Sequence, residues 1–297
     1  TIKNLLTYEK AITDKHNLKV TLLQSTQNSK TEFSLASVTG IPYESQKFYN
    51  LGSADNSLAR SGLTEWTLNS FMGRLNYDIS GKYLFQASLR ADGSSRLAEG
   101  NKWNYFPGAS VGWRLSEEAF LKESSVSQLM LRASYGEVGN TSVGPYQTAG
   151  RLAPSVYAWG ESNALGRALS EIPNPDLGWE VSKTLDIGVD YGLFNGRVNG
   201  AIDWFKTNTV DILLNRSLPF TSGYSSILQN IGATRTKGLE FAISTKIFDN
   251  PNAFSWKMDF NIAGYKEEIV ELALKDENGN PIDDIGNNWF IGQPIKV

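Results

Sequence analysis

The sequence predicts an all-β fold, an antiparallel transmembrane β-barrel with short turns at one end and long loops at the other, from three observations. Apolar and polar residues alternate along many segments, most clearly at 83–91 and 254–262, which gives a strand one apolar and one polar face. Tight-turn dipeptides such as Asn195-Gly196 join these segments in pairs. Short and long links alternate along the chain, as in barrels whose turns and loops lie at opposite membrane surfaces.

Ten strands are predicted, each with apolar residues at alternate positions and a turn signal beside it. In chain order they are 1–9, 17–26, 66–79, 82–92, 106–115, 128–136, 179–191, 197–206, 230–247 and 254–264. The tight turns are Ser80-Gly81, Asn195-Gly196 and residues 249–252. On the same side lie the links 10–16 and 116–127, the second with a helical turn or two capped by Ser116. The long links are 27–65, 93–105, 137–178, 207–229 and the segment after 264.

The apolar faces of these strands are predicted to point outward and the polar faces inward. Outward side chains include Phe71, Leu75, Ala109, Val111, Trp113, Leu129, Leu131, Ile187, Val189, Leu239, Phe241 and Ile243. Inward side chains include Arg74, Asn76, Asp78, Ser110, Arg114, Arg132, Ser134, Thr184, Asp186, Asp190, Glu240 and Ser244. Aromatic residues cluster near the short turns, where an interfacial girdle is expected: Tyr77, Tyr83, Tyr191, Phe194 and Phe254.

A soluble β-sandwich gives the same alternation and is the structural alternative. Two observations favour the membrane interpretation. Short links lie at one end of the predicted strands and long links at the other, and the strands are longer than the average of about 5–6 residues in soluble proteins.

Composition excludes several classes of function. The 297 residues contain no cysteine and a single histidine, His16, so thiolate metal sites are excluded and most zinc and general-base schemes are disfavoured. The net charge of −3 and the absence of a long basic run give no electrostatic footprint for nucleic acid. No catalytic constellation, metal site or cofactor site is predicted, so we do not expect an enzyme. Residues 276–284 are only superficially similar to a calcium loop, because Pro281 replaces the glycine expected at the sixth position.

Several motifs together resemble the SusC/RagA family of TonB-dependent outer-membrane transporters of Bacteroidetes-type bacteria. They are residues 90–96, Lys102-Trp103, Phe106-Pro107, residues 110–120, 131–136, Gly139-Asn140, 174–180, 190–197 and 236–240. The resemblance covers most of residues 62–272 and depends on the combination of motifs.

This resemblance implies a 22-stranded barrel in the outer membrane, with an N-terminal plug and uptake driven through the TonB–ExbB–ExbD complex. A SusD-like surface lipoprotein would cover the barrel, and outer-membrane lipids would surround it. The implied cargo is a small oligomeric nutrient, an oligosaccharide first and an oligopeptide second. An iron-siderophore receptor and a soluble β-rich binding or adhesion module are the remaining hypotheses. Because Thr1 is not methionine and both ends look cut, residues 1–297 are interpreted as part of a barrel domain, without plug, TonB box or C-terminal strands.

The family motifs are expected to hold the architecture. Their members are Asp92, Gly93, Ser94, Arg96, Trp103, Pro107, Trp113, Arg114, Asn174, Pro175, Trp179, Gly238 and Glu240. Asp92 and Arg96 are interpreted as a paired loop anchor, with substrate contact as the alternative. Trp179 is placed in the outer aromatic belt, with contact to the lipoprotein as the alternative.

Loop aromatics are the candidates for substrate contact, since sugar rings stack on flat aromatic faces. They are Trp103, Tyr105, Tyr157, Trp159, Phe220 and Tyr224, with packing between loops as the competing interpretation. The pair Tyr157 and Trp159, in the longest loop, is preferred.

Overall fold

The computed structural model describes residues 1–122, 124–160, 162–250 and 254–295, and at positions 46, 163 and 220 the backbone only. Ten long strands form one antiparallel sheet. They are β1 (Ile2–Thr13), β2 (His16–Thr39), β3 (Asn56–Ile79), β4 (Tyr83–Ser94), β5 (Trp103–Arg114), β6 (Val126–Asn140), β9 (Glu180–Leu193), β10 (Val198–Val210), β13 (Ala233–Phe248) and β14 (Trp256–Glu271). Four shorter strands form two hairpins inserted in the long links: β7 (Arg151–Trp159) with β8 (Ser162–Glu171), and β11 (Leu213–Ser217) with β12 (Ser226–Asn230).

The sheet is a meander in which each long strand pairs with the next one along the chain. Its order is β1-β2-β3-β4-β5-β6-β9-β10-β13-β14, and it is open in this structure. All ten predicted strands are present, so the all-β prediction is confirmed. The two inserted hairpins were not predicted, and β2 and β3 extend far past their predicted ends, pairing from His16↔Ile79 to Thr39↔Asn56.

The strand register separates two faces as the alternation predicts, because directly paired residues share a face. One cross-strand row reads Tyr77, Phe85, Val111, Ala133, Ile187, Trp204 and Leu239. We call this the outer face; its side chains are solvent-accessible in the isolated chain, with Leu239 55 % exposed. The opposite, inner face has a neighbouring row of Lys19, Asn76, Gln86, Ser110, Ser134 and Asp186.

The short turns have the backbone that tight hairpins require. Ser80 and Gly81 both have positive φ (57° and 69°), as do Asn195 and Gly196 (54° and 78°), which is typical of type I′ turns. The predicted turn at 249–252 lies partly outside the described residues. The expected helical segment after Ser116 is instead two 3₁₀ turns, Leu115–Glu117 and Ala119–Leu121, without a side-chain cap.

Strict alternation of link lengths was wrong at one place. The link 95–102 at the long-loop end is shorter than 115–125 at the short-turn end, because β4 and β5 extend further than predicted. Further 3₁₀ turns are Glu44–Gln46, Leu51–Ser53, Gln147–Ala149, Phe220–Ser222 and Ile285–Asn287. Across the described ranges, no helix is long and apolar enough to cross a membrane.

Buried side chains concentrate at the long-loop end. One cluster, which we call the loop core, consists of Leu97, Phe106, Val143, Leu177, Trp179 and Val181. A second cluster of Leu214, Ile269, Leu272 and Trp289 packs the C-terminal segment against the β11–β12 hairpin. The loops are therefore folded onto the end of the sheet.

Candidate functional site

The inner face forms a trough of about 770 Å³ lined by side chains from seven adjacent strands. Six of the lining residues form the polar row that runs from Lys19 through Gln86 to Asp186, and Leu84 and Met130 add apolar surface. The amide, hydroxyl and charged groups of this row can form hydrogen bonds with a hydrated solute along the trough. This wall is therefore suited to contact with a polar molecule or with water.

A charged cluster centred on Arg132 lies in this wall. Its guanidinium contacts Asp186 (3.2 Å), Asp190 (3.1 Å) and Asp203 (2.5 Å). Gly188 lies opposite Arg132 in the ladder, and a Cβ there would come within 2.6 Å of Cζ of Arg132. The sequence placed Arg132, Asp186 and Asp190 on this face; Asp203 was missed, although its position between Ile202 and Trp204 was the available signal. Three carboxylates around one cation leave this part of the wall negatively charged.

The loop core is built around two aromatic rings. Phe106 and Trp179 pack edge to face with centroids 5.3 Å apart, and Nε1 of Trp179 donates to the carbonyl of Lys102 (3.0 Å). Gly139 makes room for both rings, since a Cβ there would lie 2.2 Å from Phe106 and 2.6 Å from Trp179. Trp179 is only 8 % exposed, so its placement in the outer aromatic belt was wrong. Sequence position at a strand start does not show that loops fold over the ring.

Side-chain amides join three loops around this core. Asn174 donates to the carbonyl of Leu228 (2.8 Å), and Asn101 donates to that of Asp176 (3.0 Å). Asn230 accepts from the amide of Gly178 (2.8 Å) and donates to the carbonyls of Gly178 (3.0 Å) and Asp211 (2.9 Å). Pro175 lies between the two residues of the 174–176 turn, in which the amide of Asp176 donates to Asn174 Oδ1 (3.1 Å).

Asp92 and Arg96 are both anchors, but they do not pair with each other. Asp92 accepts two hydrogen bonds from Nε of Arg90 (2.9 and 2.7 Å), and Arg90 also donates to Ser70 (3.0 Å). Arg96 lies over the ring of Trp66, 3.8 Å from its centroid, and donates to the carbonyl of Thr141 (3.3 Å). Partial burial lowers the pKa of the Arg96 guanidinium. The paired anchor was therefore wrong in its partners, and neither residue lines the trough.

Other motif residues serve strand packing. A Cβ at Gly93 would lie 2.5 Å from the indole of Trp103, and one at Gly238 would lie 2.4 Å from Phe205. Ser94 is buried and accepts from the amide of Arg96 (3.3 Å). The β5–β6 ladder begins at Gly108, directly after Pro107, which has no amide hydrogen to donate. Glu240 lies on the inner face opposite Asp203.

At the short-turn end, the carboxylate of Glu118 is hydrogen-bonded to residues of the aromatic girdle. Glu118 accepts from Tyr83 (2.9 Å), Lys82 (3.1 Å) and Trp113 (3.2 Å), and the Tyr83 and Trp113 rings stack with centroids 6.2 Å apart. These hydrogen bonds, that from Tyr83 first, lower the pKa of Glu118. Arg114 donates to the carbonyl of Gly81 (2.7 Å), which fixes the neighbouring turn.

The six predicted contact aromatics are not brought together. Trp103 and Tyr105 lie on the outer face of β5, where Trp103 stacks on Phe71. Tyr224 is half-buried in the link before β12, and the side chain of Phe220 lies outside the described residues. Tyr157 and Trp159 share one face of the β7–β8 hairpin with centroids 5.9 Å apart, and Trp159 is 73 % exposed. Among the five predicted aromatics whose side chains are described, Tyr157 and Trp159 are the exposed pair in a loop, where a ligand can stack on them.

The acidic segment at Asp276 is a turn stabilised by its own side chain. Asp276 accepts from the amides of Asn278 (2.9 Å) and Asn280 (2.8 Å) and from the side chain of Asn280 (3.0 Å). The side chain and backbone of Asn280 lower the pKa of Asp276. Among the described residues, no group of acidic or histidine side chains has the arrangement of a metal site.

An antiparallel sheet with an apolar outer face, a polar inner face, and turns and loops at opposite ends defines the wall of an outer-membrane β-barrel protein. The chain matches, over residues 5–294, the family described as TonB dependent receptor-like, beta-barrel, and it belongs to that family. It is therefore an outer-membrane protein. Short turns in this class face the periplasm and long loops the cell exterior.

Individual relatives agree with this assignment. The chain is 37 % identical to TonB-dependent receptor P3 of Formosa agariphila over 93 % of its length and 28 % of that protein. It is 34 % identical to TonB-dependent receptor SusC of Bacteroides thetaiotaomicron, over 79 % of this chain and 24 % of that one. A solved structure of the RagAB peptide transporter superposes with a TM-score of 0.85 at 25 % identity, covering 98 % of this chain and 32 % of that one. The chain thus spans under a third of these relatives, and the resemblance to the SusC/RagA family is confirmed.

Proposed function

We propose that the chain forms part of the barrel wall of an outer-membrane TonB-dependent transporter that imports oligomeric nutrients, oligosaccharides first. The observation that carries this proposal is the continuous polar row along the trough of the inner face, with an apolar outer face behind it. A plug, a TonB box and the other strands would come from the remainder of the longer protein. The sheet described here supplies the lining along which cargo passes.

The cargo assignment rests on chemistry at two places. The inner row offers amide and hydroxyl groups, which match the many hydroxyls of a sugar chain. Tyr157 and Trp159 form an exposed aromatic surface at the long-loop end, and sugar rings stack on such surfaces. Oligopeptides are the second candidate, because the structurally similar RagAB complex is described as a peptide transporter.

The proposed partners follow from the resemblance and from the names of the relatives. TonB dependence supports coupling to the TonB–ExbB–ExbD complex through the N-terminal region. A SusD-like lipoprotein at the cell surface is proposed as the lid over the long loops.

Uptake by cells that make the full-length protein tests this function. We expect accumulation of a labelled oligosaccharide, its loss when an uncoupler collapses the proton gradient, and its loss when TonB is deleted. A panel of oligosaccharides, oligopeptides and a ferric siderophore identifies the cargo class by competition. Uptake that persists without TonB would contradict the transporter proposal, whereas competition by peptides or siderophore alone would contradict the oligosaccharide assignment.

A further inference from the structure

Five cations lie together on the outer face, at the long-loop end of β9 to β14. We call them the basic patch: Lys183, Lys206, Arg235, Lys237 and Lys266. Lys206 pairs with Lys237, which pairs with Lys266, so three lysines stand side by side across three strands. Arg235 occupies the next outer-face position on β13, two residues from Lys237.

The basic patch begins where the apolar outer face ends. Along β10 the outer-face residues are Ile202, Trp204 and then Lys206; along β13 they are Phe241, Leu239 and then Lys237. A transmembrane strand needs about 9–11 residues, and Lys206 and Lys237 lie about that far from the short turns. The cations therefore lie at the level of the outer-leaflet headgroups, where long lysine side chains extend toward the polar layer.

The basic patch is not neutralised by the protein. Glu268 binds Lys266 (3.2 Å) and lies 3.6 Å from Arg235. Glu137, beside Lys183 in the ladder, is bound by the hydroxyl of Tyr135 (2.6 Å). In the described part of the chain, no carboxylate oxygen lies within ion-pair distance of Lys183, Lys206 or Lys237, and Glu268 attracts Lys237 only from farther away. Five cations against two carboxylates leave a net positive surface.

The other half of the sheet shows that this charge is local. The outer face near the long-loop end of β3 to β5 carries Phe71, Leu89, Ala91, Trp103 and Tyr105, all uncharged. Aromatic rings alone serve as interfacial anchors there. Lysines at this level are therefore specific to β9 to β14 and are not a general feature of the outer face.

We propose that the basic patch binds the phosphate groups of outer-leaflet lipids. Its charge is complementary to phosphate, its side chains face the lipid, and it lies at headgroup depth. Basic side chains near a membrane surface strengthen binding of anionic lipids by about 1 kcal/mol each, which is about fivefold. The three lysines without ion pairs can together contribute on the order of a hundredfold.

Native mass spectrometry of the full-length protein in detergent tests this site. The probes are lipid A with two phosphates, the same lipid with one phosphate or none, and phosphatidylcholine. We expect wild-type affinity to fall in that order and to weaken as salt is raised. In a Lys183→Gln, Lys206→Gln, Lys237→Gln triple variant, the preference for the bisphosphorylated lipid should fall on the order of a hundredfold.

A matched triple variant, Lys47→Gln, Lys122→Gln and Lys275→Gln, removes three exposed lysines outside the strands and should leave the preference unchanged. Heat-modifiable gel mobility reports whether each variant is folded. Equal binding of phosphorylated and unphosphorylated lipid by the wild type would overturn the proposal, and this test needs no variant. An equal loss in the two triple variants would also overturn it, as would phosphate-independent self-association that only the patch variant abolishes.

Discussion

Two tryptophans at the long-loop end have opposite environments. Trp179 lies in the loop core, 8 % exposed, with its indole nitrogen bonded to a backbone carbonyl; Trp159 lies on the β7–β8 hairpin, 73 % exposed. The first is in a segment that resembles a family motif, and the second is in the longest loop. The residues of the motif therefore fix how the loops fold, while exposed hairpin residues remain available for recognition.

Substitution in the loop core should lower the free energy of unfolding most. Trp179→Ala removes a buried ring, so the free energy of unfolding should fall by about 3–5 kcal/mol. Trp159→Ala is the matched control and should stay within about 0.5 kcal/mol, since surface substitutions rarely exceed that. Urea unfolding of the full-length protein in lipid vesicles measures both. Equal effects of the two substitutions would contradict a stabilising role of the loop core.

The amide links between the loops give the next largest effect. Asn230→Ala leaves the amide of Gly178 and two carbonyls without partners, which should cost about 1–3 kcal/mol. Asn278→Ala, in the exposed acidic turn, is the control and should be nearly neutral. The same unfolding assay distinguishes them, and limited proteolysis should show loops opened only in the Asn230 variant. A neutral Asn230→Ala would mean that the three loops fold independently.

The hairpin should affect binding without affecting stability. Aromatic contacts contribute about 0.5–1.5 kcal/mol each, so Tyr157→Ala with Trp159→Ala should weaken cargo binding by roughly tenfold. Calorimetric titration of the full-length protein with the transported oligomer measures this. A Trp103→Ala, Tyr105→Ala variant, altered on the outer face, is the control and should retain the affinity. If the outer-face variant lost affinity and the hairpin variant kept it, cargo recognition would have to be assigned to the outer face.

The hydrogen bonds to Glu118 at the periplasmic end should contribute least to the stability of the fold. Because hydrogen bonds lower the pKa of Glu118, the ionised carboxylate stabilises the folded state at neutral pH. This contribution is lost as pH falls from the ordinary glutamate pKa of 4.5 through the lowered pKa of the folded state. Thermal unfolding monitored by Trp fluorescence should show this acid-dependent step in the wild type. Glu118→Gln should lack the step. A pH profile of this variant that matches the wild type would contradict a stabilising role of the Glu118 carboxylate.

Much of the fold was predictable because strand periodicity is fixed by backbone geometry. Once Leu75, Leu131 and Ile187 were placed outward, the period of two placed their neighbours Asn76, Arg132 and Asp186 inward, as the register confirms. The loops were less predictable, because their structure depends on contacts distant in sequence. Trp179 was misplaced for that reason, since its burial depends on Gly139 and Phe106.

The candidate site shows the same limit. Asp92 was expected to pair with Arg96 beyond the turn, but Arg90, two positions away on the same strand face, lies within reach first. Trp103 and Tyr105 were taken for loop residues because the start of β5 was placed too late. Once both lie on a strand, alternation assigns them to the outer face.

Spin labels on β6 distinguish an outer face that contacts lipid from an inner face that contacts water. Single cysteines introduced as Met130→Cys through Tyr135→Cys in the full-length protein would carry labels on alternate faces, with the unsubstituted protein as background. In lipid vesicles, we expect labels at 131, 133 and 135 to collide mainly with oxygen, and those at 130, 132 and 134 mainly with a water-soluble nickel complex. Accessibility without this two-residue period would contradict the account.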